Sequence, residues 1–163
     1  MRSKAAVGTH PIHPALVPIP IGAFALTLIG DIAHAVTKAP FWYAFAQVCM
    51  GIGIVTALVA AVAGLVDYLG VKMNARSRQL ATIHLAVNVS AVLLYVLNWL
   101  LRMNDGALLN ERWPLVFALE IVTFLGLGVS GWIGGSLSYE HHVGVVEGSD
   151  LETTLPEAPR PTV

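Results

Sequence analysis

Six histidines occur in a chain that is otherwise mostly hydrocarbon, and five of them fall near one end of its apolar segments: His10, His13, His84, His141 and His142. Imidazole at the depth of a membrane helix serves as a metal or haem ligand, or as a hydrogen-bonding group that ties helices together. Four of these histidines, His84, His13, His141 and His10, are the candidates for ligation. Asp67, Asn88 and Tyr139 share their layer and are placed to orient the ring nitrogen that faces away from a ligand. Haem b needs two axial ligands from different segments, which His84 with His13 or His141 would supply. A histidine-bound transition metal would need three or more of the same four side chains. No C-x-x-C-H occurs, which excludes covalently attached haem. Neither an activated nucleophile nor a paired acid–base constellation is evident, so any redox chemistry would be the cofactor's.

The elements that position these side chains are membrane helices. Of 163 residues, 56% are hydrophobic and 12% charged. Globular chains carry about 25% charged residues, so half the usual polar surface is absent and the lipid bilayer is the expected partner. Four stretches, about 15–36, 41–66, 80–101 and 114–137, approach the ~20 residues that cross a bilayer. They predict an all-α fold, an integral membrane four-helix bundle, as a single domain over residues 1–140. The acidic, proline-bearing end, 141–163, reads as a disordered cytoplasmic tail. A net charge of −1 leaves no electrostatic footprint for nucleic acid. The "AHA" at 33–35 has the form of a signal-cleavage site, but the apolar stretch before it is too long for a signal h-region and the span is retained.

Orientation follows from the flanking cations. Arg2, Lys4, Lys72, Arg76 and Arg78 lie on one side, and Lys38, Arg102 and Arg112 on the other. That bias predicts that both termini and the 67–79 loop are cytoplasmic. Trp42, Tyr43 and Trp113 lie at span ends on the opposite side, as an interfacial aromatic belt would.

Helical periodicity then sorts the polar groups. His84, Asn88, Tyr95, Asn98 and Arg102 share one arc of the third span, a polar stripe that must face protein or a cavity. Cys49, Gly53, Thr56, Ala60, Ala63 and Asp67 form a small-residue seam on the second. The fourth carries Gly126, Gly128, Gly131, Gly134 and Gly135, which serve packing or make room for a planar macrocycle; Gly131 and Gly135 have the spacing that brings membrane helices together, in this chain or in an oligomer. "GLGVSG" at 126–131 matches a dinucleotide fingerprint, but no strand precedes it and lipid surrounds it. A far layer collects Asp31, His34, Gln47, Asn98, Arg102 and Glu120, in which Arg102 is expected to pair with Glu120 and neutralise it, the alternative being a proton path through Asp31, Glu120 and His34. The opening "THPIHPALVPIPIG" reads as a stiff, non-helical strap, because Pro18 and Pro20 prevent a regular helix from starting much before residues 17–20. In polyproline II geometry His10 and His13 would share one edge, about 9 Å apart.

"HPIHPALVPIPIGAF" at the start, "GLVDY" at 64–68, "IHLAVN" at 83–88 and "GWIGGSLSYEHHVGV" at 131–145 together resemble a bacterial membrane-protein family, domain-of-unknown-function family 2231. The resemblance covers nearly the whole chain except the tail and implies a four-helix integral membrane protein. This chain has Pro18 where many relatives carry a further histidine, and His142 where they carry glycine. Some relatives are fused to a Rieske-type iron–sulfur domain, which implies by association an electron-transfer setting, with an iron–sulfur protein or a quinone as redox partner. The competing expectation is a non-catalytic membrane scaffold or subunit whose histidines form a structural hydrogen-bond network. A small transporter is a third, weakened by the lack of an inverted repeat.

Overall fold

The structure, a computed structural model, describes residues 1–103 and 109–145, with the side chains of 109–111 left out. Prolines determine where its helices begin. A two-residue hairpin, β1 (Ala6–Val7) with β2 (His10–Pro11), turns at Gly8 with φ +60°. It runs into a single helical turn, α1 (Ile12–Leu16), and then into α2 (Pro18–Thr37). Pro14, Pro18 and Pro20 all occupy the first three positions of a helix, where the N–H would have no acceptor, so their missing donors cost nothing. The opening segment is therefore helical from Ile12 and not an extended strap, which corrects the sequence expectation. His10 lies on β2 and His13 on α1, and no polyproline edge joins them.

Three long helices follow: α3 (Pro40–Gly70), α4 (Ala75–Met103) and α5 (Leu109–Tyr139). The first begins on Pro40 after a two-residue link in which Lys38 adopts φ 56° and ends α2. Asn74 starts α4, its Oδ1 accepting from the Ser77 N–H at 2.8 Å. Pro114 lies inside α5 and not at its start. At 31 residues α3 is roughly 46 Å long, well beyond the ~30 Å hydrocarbon thickness, so its ends stand in the interface.

The stretches Ile12–Thr37, Pro40–Gly70, Ala75–Met103 and Arg112–Tyr139 are each long and apolar enough to cross a membrane. Ile29, Val36, Val55, Val62, Leu93, Leu125 and Trp132 point outward on all four helices, a surface that only lipid covers without penalty. Packing runs chiefly as two hairpins, α2 on α3 and α4 on α5, joined through α3–α4 and α2–α5 contacts. The expected seam on α3 is present: Cys49, Gly53, Ala60 and Ala63 are buried. A Cβ on Gly53 would stand 2.5 Å from Phe24, so glycine there admits the Phe24 ring. At mid-bundle, Phe24 stacks on Tyr95 with centroids 3.7 Å apart, packed with Met50 and Ile54. This apolar plug divides the interior into two polar ends.

Candidate functional site

At the first end, Asp67 near the close of α3 anchors the chain start. Its carboxylate accepts from the Ser3 hydroxyl at 2.8 Å, the Lys4 N–H at 2.6 Å and the Ala5 N–H at 2.9 Å. Asp67 was expected to orient His84; its acceptor sites are instead taken up by these three donors. The anchored chain turns back, Ile12 N–H bonding Ala5 O at 2.8 Å, and lays α1 across α3. That placement brings His13 to the seam, where its Nδ1–H donates to Ala60 O at 2.8 Å.

His84 projects from α4 toward α5. Its Nδ1 lies 3.0 Å from both the carbonyl and the hydroxyl of Ser130. Asn88 supports it from one turn deeper, Nδ2 donating to His84 O at 2.7 Å and to Ser130 Oγ at 2.5 Å. A carbonyl only accepts, so each ring donates from Nδ1, and a neutral imidazole held this way carries its lone pair on Nε2. Neither Nε2 takes a hydrogen bond from the described residues. The two ring centroids are 6.4 Å apart with planes at 87°. Glycines make the room: a Cβ on Gly64 would come within 2.9 Å of His13, and one on Gly134 within 2.9 Å of His84.

The other candidates stand apart from this pair. His10 is exposed on β2. Tyr139 is 85% exposed at the last residue of α5, so it faces away from the interior and does not orient His84; Ser130 does. His141 and His142 terminate α5, with the His141 N–H on Ser136 O at 3.1 Å and His142 at φ 51°. Among the described residues no group of three or more His, Cys, Asp or Glu side chains converges. Residues 141–145 belong to the folded end and not to the tail: Met1 N donates to His142 O at 2.9 Å and Gly144 N to Met1 O at 2.8 Å. The remainder of the expected tail lies outside the described residues. Ser130 and Gly64 were not singled out from the sequence, because a serine among glycines reads as a packing residue; Gly134 was noted there among the glycines of its span.

At the other end the charges are fully enclosed. Arg102 grips Asp31 bidentately, at 2.8 and 2.5 Å, both side chains having 0% exposure. Its Nε donates to Asn98 Oδ1 at 2.8 Å, and Asn98 Nδ2 passes to Val116 O at 2.9 Å. Glu120 comes only to 3.8 Å of Arg102. Arg102 thus gives its bidentate hydrogen bonds to Asp31, whose carboxylate edge the planar fork of arginine fits, and the expected pairing with Glu120 is present as a longer ion pair without a hydrogen bond. Tyr43 donates to Arg102 O at 3.3 Å, and His34 Nδ1–H to Ala39 O at 3.0 Å.

A groove of about 340 Å³ runs between α4 and α5, lined by Val87, Ala91, Leu94, Thr123 and Gly126 among others. It is apolar and opens toward lipid.

A search of curated proteins found no match, and neither did a search of solved structures. The family described as predicted membrane protein (DUF2231) matches residues 9–147, nearly all of the bundle with both polar ends, and the chain belongs to that family.

Proposed function

We propose that this membrane protein is an electron-transfer module in which His13 and His84 would hold a haem b. One observation carries the reading: two imidazoles from separate segments have Nδ1 fixed by a backbone oxygen, Nε2 bare, and centroids 6.4 Å apart. A centroid spacing of this size would admit one metal ion bound by both Nε2 atoms at about 2 Å each. The donor set also favours haem over a bare ion. A bare ion asks the protein for three or more ligands, whereas haem brings four nitrogens of its own and asks for two. When bound, haem would supply one-electron chemistry. The protein's own residues hold the rings: Ala60 O and Ser130 O fix the tautomers, and Asn88 and Asp67 fix the segments that carry them.

The first end belongs on the cytoplasmic side in this reading. Arg102 is locked in a buried ion pair and no longer counts as a flanking cation, so the balance becomes five against two, Lys38 and Arg112 remaining opposite. An iron–sulfur protein or a quinone is the redox partner that the family resemblance suggests.

The test is a reduced-minus-oxidised visible spectrum of the detergent-purified chain, with metal analysis on the same sample. Soret and α bands near one haem per chain, lost in both H13A and H84A, are the expected result. A colourless chain with one stoichiometric metal would move the site to a histidine-bound ion. A colourless, metal-free chain in which H84A only lowers thermal stability would leave the histidines as ties between helices, and the electron-transfer reading would fall.

A further inference from the structure

The far end holds an imbalance. One guanidinium, Arg102, meets two carboxylates, Asp31 and Glu120, and all three side chains have 0% exposure. Asp31 uses both oxygens on Arg102. Neither oxygen of Glu120 has a hydrogen-bond partner, and the buried Tyr95 hydroxyl has none either. Tyr95 lies within electrostatic range of Glu120, Arg102 and Asp31. An ionised carboxylate left without donors in a low-dielectric interior costs several kcal/mol, and membrane depth gives water no easy access to relieve it.

The groups around the cluster do not supply the missing charge. From α2 come Asp31 and His34, whose Nδ1 is committed to Ala39 O. From α3 comes Tyr43, committed to Arg102 O. Tyr95, Asn98 and Arg102 come from α4, and Asn98 is committed to Val116 O and Arg102. Glu120 comes from α5, where neighbouring Thr123 bonds back to Leu119 O. Arg102 is the single cation among these described side chains that reaches the cluster, and Asp31 has it.

We infer that the far end of the bundle is a proton-binding site, in which Glu120 holds one exchangeable proton as a carboxylic acid beside Tyr95 and the Asp31–Arg102 pair. The added proton brings the cluster to neutrality and turns Glu120 into a donor with one O–H to give. A metal cation is a poorer occupant. It would sit against a guanidinium nitrogen only 3.8 Å from Glu120 Oε2, and the two carboxylates are its only anionic ligands. The plug of Phe24, Met50, Ile54 and Tyr95 closes the site from the histidine end, so the proton exchanges with the opposite aqueous face. This assignment stands whether or not the histidines bind haem.

Infrared spectra of the full chain in lipid at neutral pH test it, recorded in H₂O and D₂O. A carboxylic-acid C=O band above the amide region is expected, moving down in D₂O. It should move again when glutamate side-chain carboxyls carry ¹³C, stay in place when aspartate carries it, and vanish in E120Q, which keeps the shape of the side chain. No such band, a band that moves with labelled aspartate, or one that persists in folded E120Q would overturn the assignment. Should E120Q fail to fold, labelled aspartate against labelled glutamate in the wild-type chain decides.

Discussion

The two polar ends share one helix face yet solve opposite problems. His84 and Asn88 at one end of α4 and Asn98 and Arg102 at the other lie on a single stripe, separated by Tyr95 and its stacked partner Phe24. The histidine end uses imidazole rings, holds each through one nitrogen against a backbone oxygen, and leaves the other nitrogen without a partner among the described residues. The carboxylate end uses full charges and encloses them completely. Neutral groups with spare lone pairs suit a ligand that is gained after folding. Enclosed charges must be matched during folding, because an unmatched one has no water to turn to. The first end is accordingly closed by a short segment pinned at Asp67, and the second by the helices themselves.

The strongest way to break this contrast is to remove Arg102. Arg102→Met leaves Asp31 and Glu120 buried together with no cation, and truncating one side of a buried pair costs about 3–5 kcal/mol. Equilibrium unfolding in mixed detergent micelles should show that loss, with the helices still formed at low denaturant. The triple change Arg102→Met, Asp31→Leu and Glu120→Leu should recover most of it, since apolar replacements of similar size remove the desolvation penalty along with the attraction. A tolerated single substitution would mean that the far end is hydrated, and the contrast between the ends would disappear.

Much of this was legible in the sequence, and the failures share a cause. The four spans, the stripe on α4 and the seam on α3 follow from apolar length and a period of 3.6, which packing in lipid preserves. Periodicity gives depth along a helix and direction around it, but not which neighbour occupies that direction. Arg102 was therefore paired with Glu120, when its hydrogen bonds go to Asp31, and Tyr139 was read inward when it is 85% exposed. The prolines misled for another reason. Their effect depends on position within a helix, and Pro14, Pro18 and Pro20 fall where no N–H is needed. Ser130 and Gly64 escaped notice because their role is to offer a carbonyl or leave space. Such a role has no residue type of its own.

A gentler change sharpens the histidine side. In Gly134→Ala the new methyl would start 2.9 Å from His84 Cε1, so the ring must swing away from Ser130. Replacing glycine in a helix interior gains roughly 0.5–1 kcal/mol of backbone entropy, and the lost hydrogen bond costs about 0.5–1.5 kcal/mol. The two nearly cancel, so unfolding midpoints should move little. Haem content measured by absorbance per chain should nevertheless fall sharply if His84 is an axial ligand. A drop in stability with no change in any chromophore would instead favour histidines as ties between helices.

The smallest effect is expected where the sequence promised a contact and the structure gives none. Gly131 and Gly135 have the spacing of a helix-packing pair, yet nothing lies within 4 Å of the Cβ that either would carry. Packing of α5 against α4 runs through Ser130 and Gly134 instead, a quarter to a third of a turn away around the helix. Gly131→Ala and Gly135→Ala, made together, should leave both polar ends intact and move stability by no more than the gain in helix propensity, about 1–2 kcal/mol for the pair. Unfolding in detergent checks the first part, and the absorbance and infrared signatures check the second. A clear destabilisation in lipid that is absent in dilute detergent would show that this face meets a second helix from outside the chain. The two polar ends would then be parts of a larger assembly whose contacts leave His13, His84 and Glu120 as they stand.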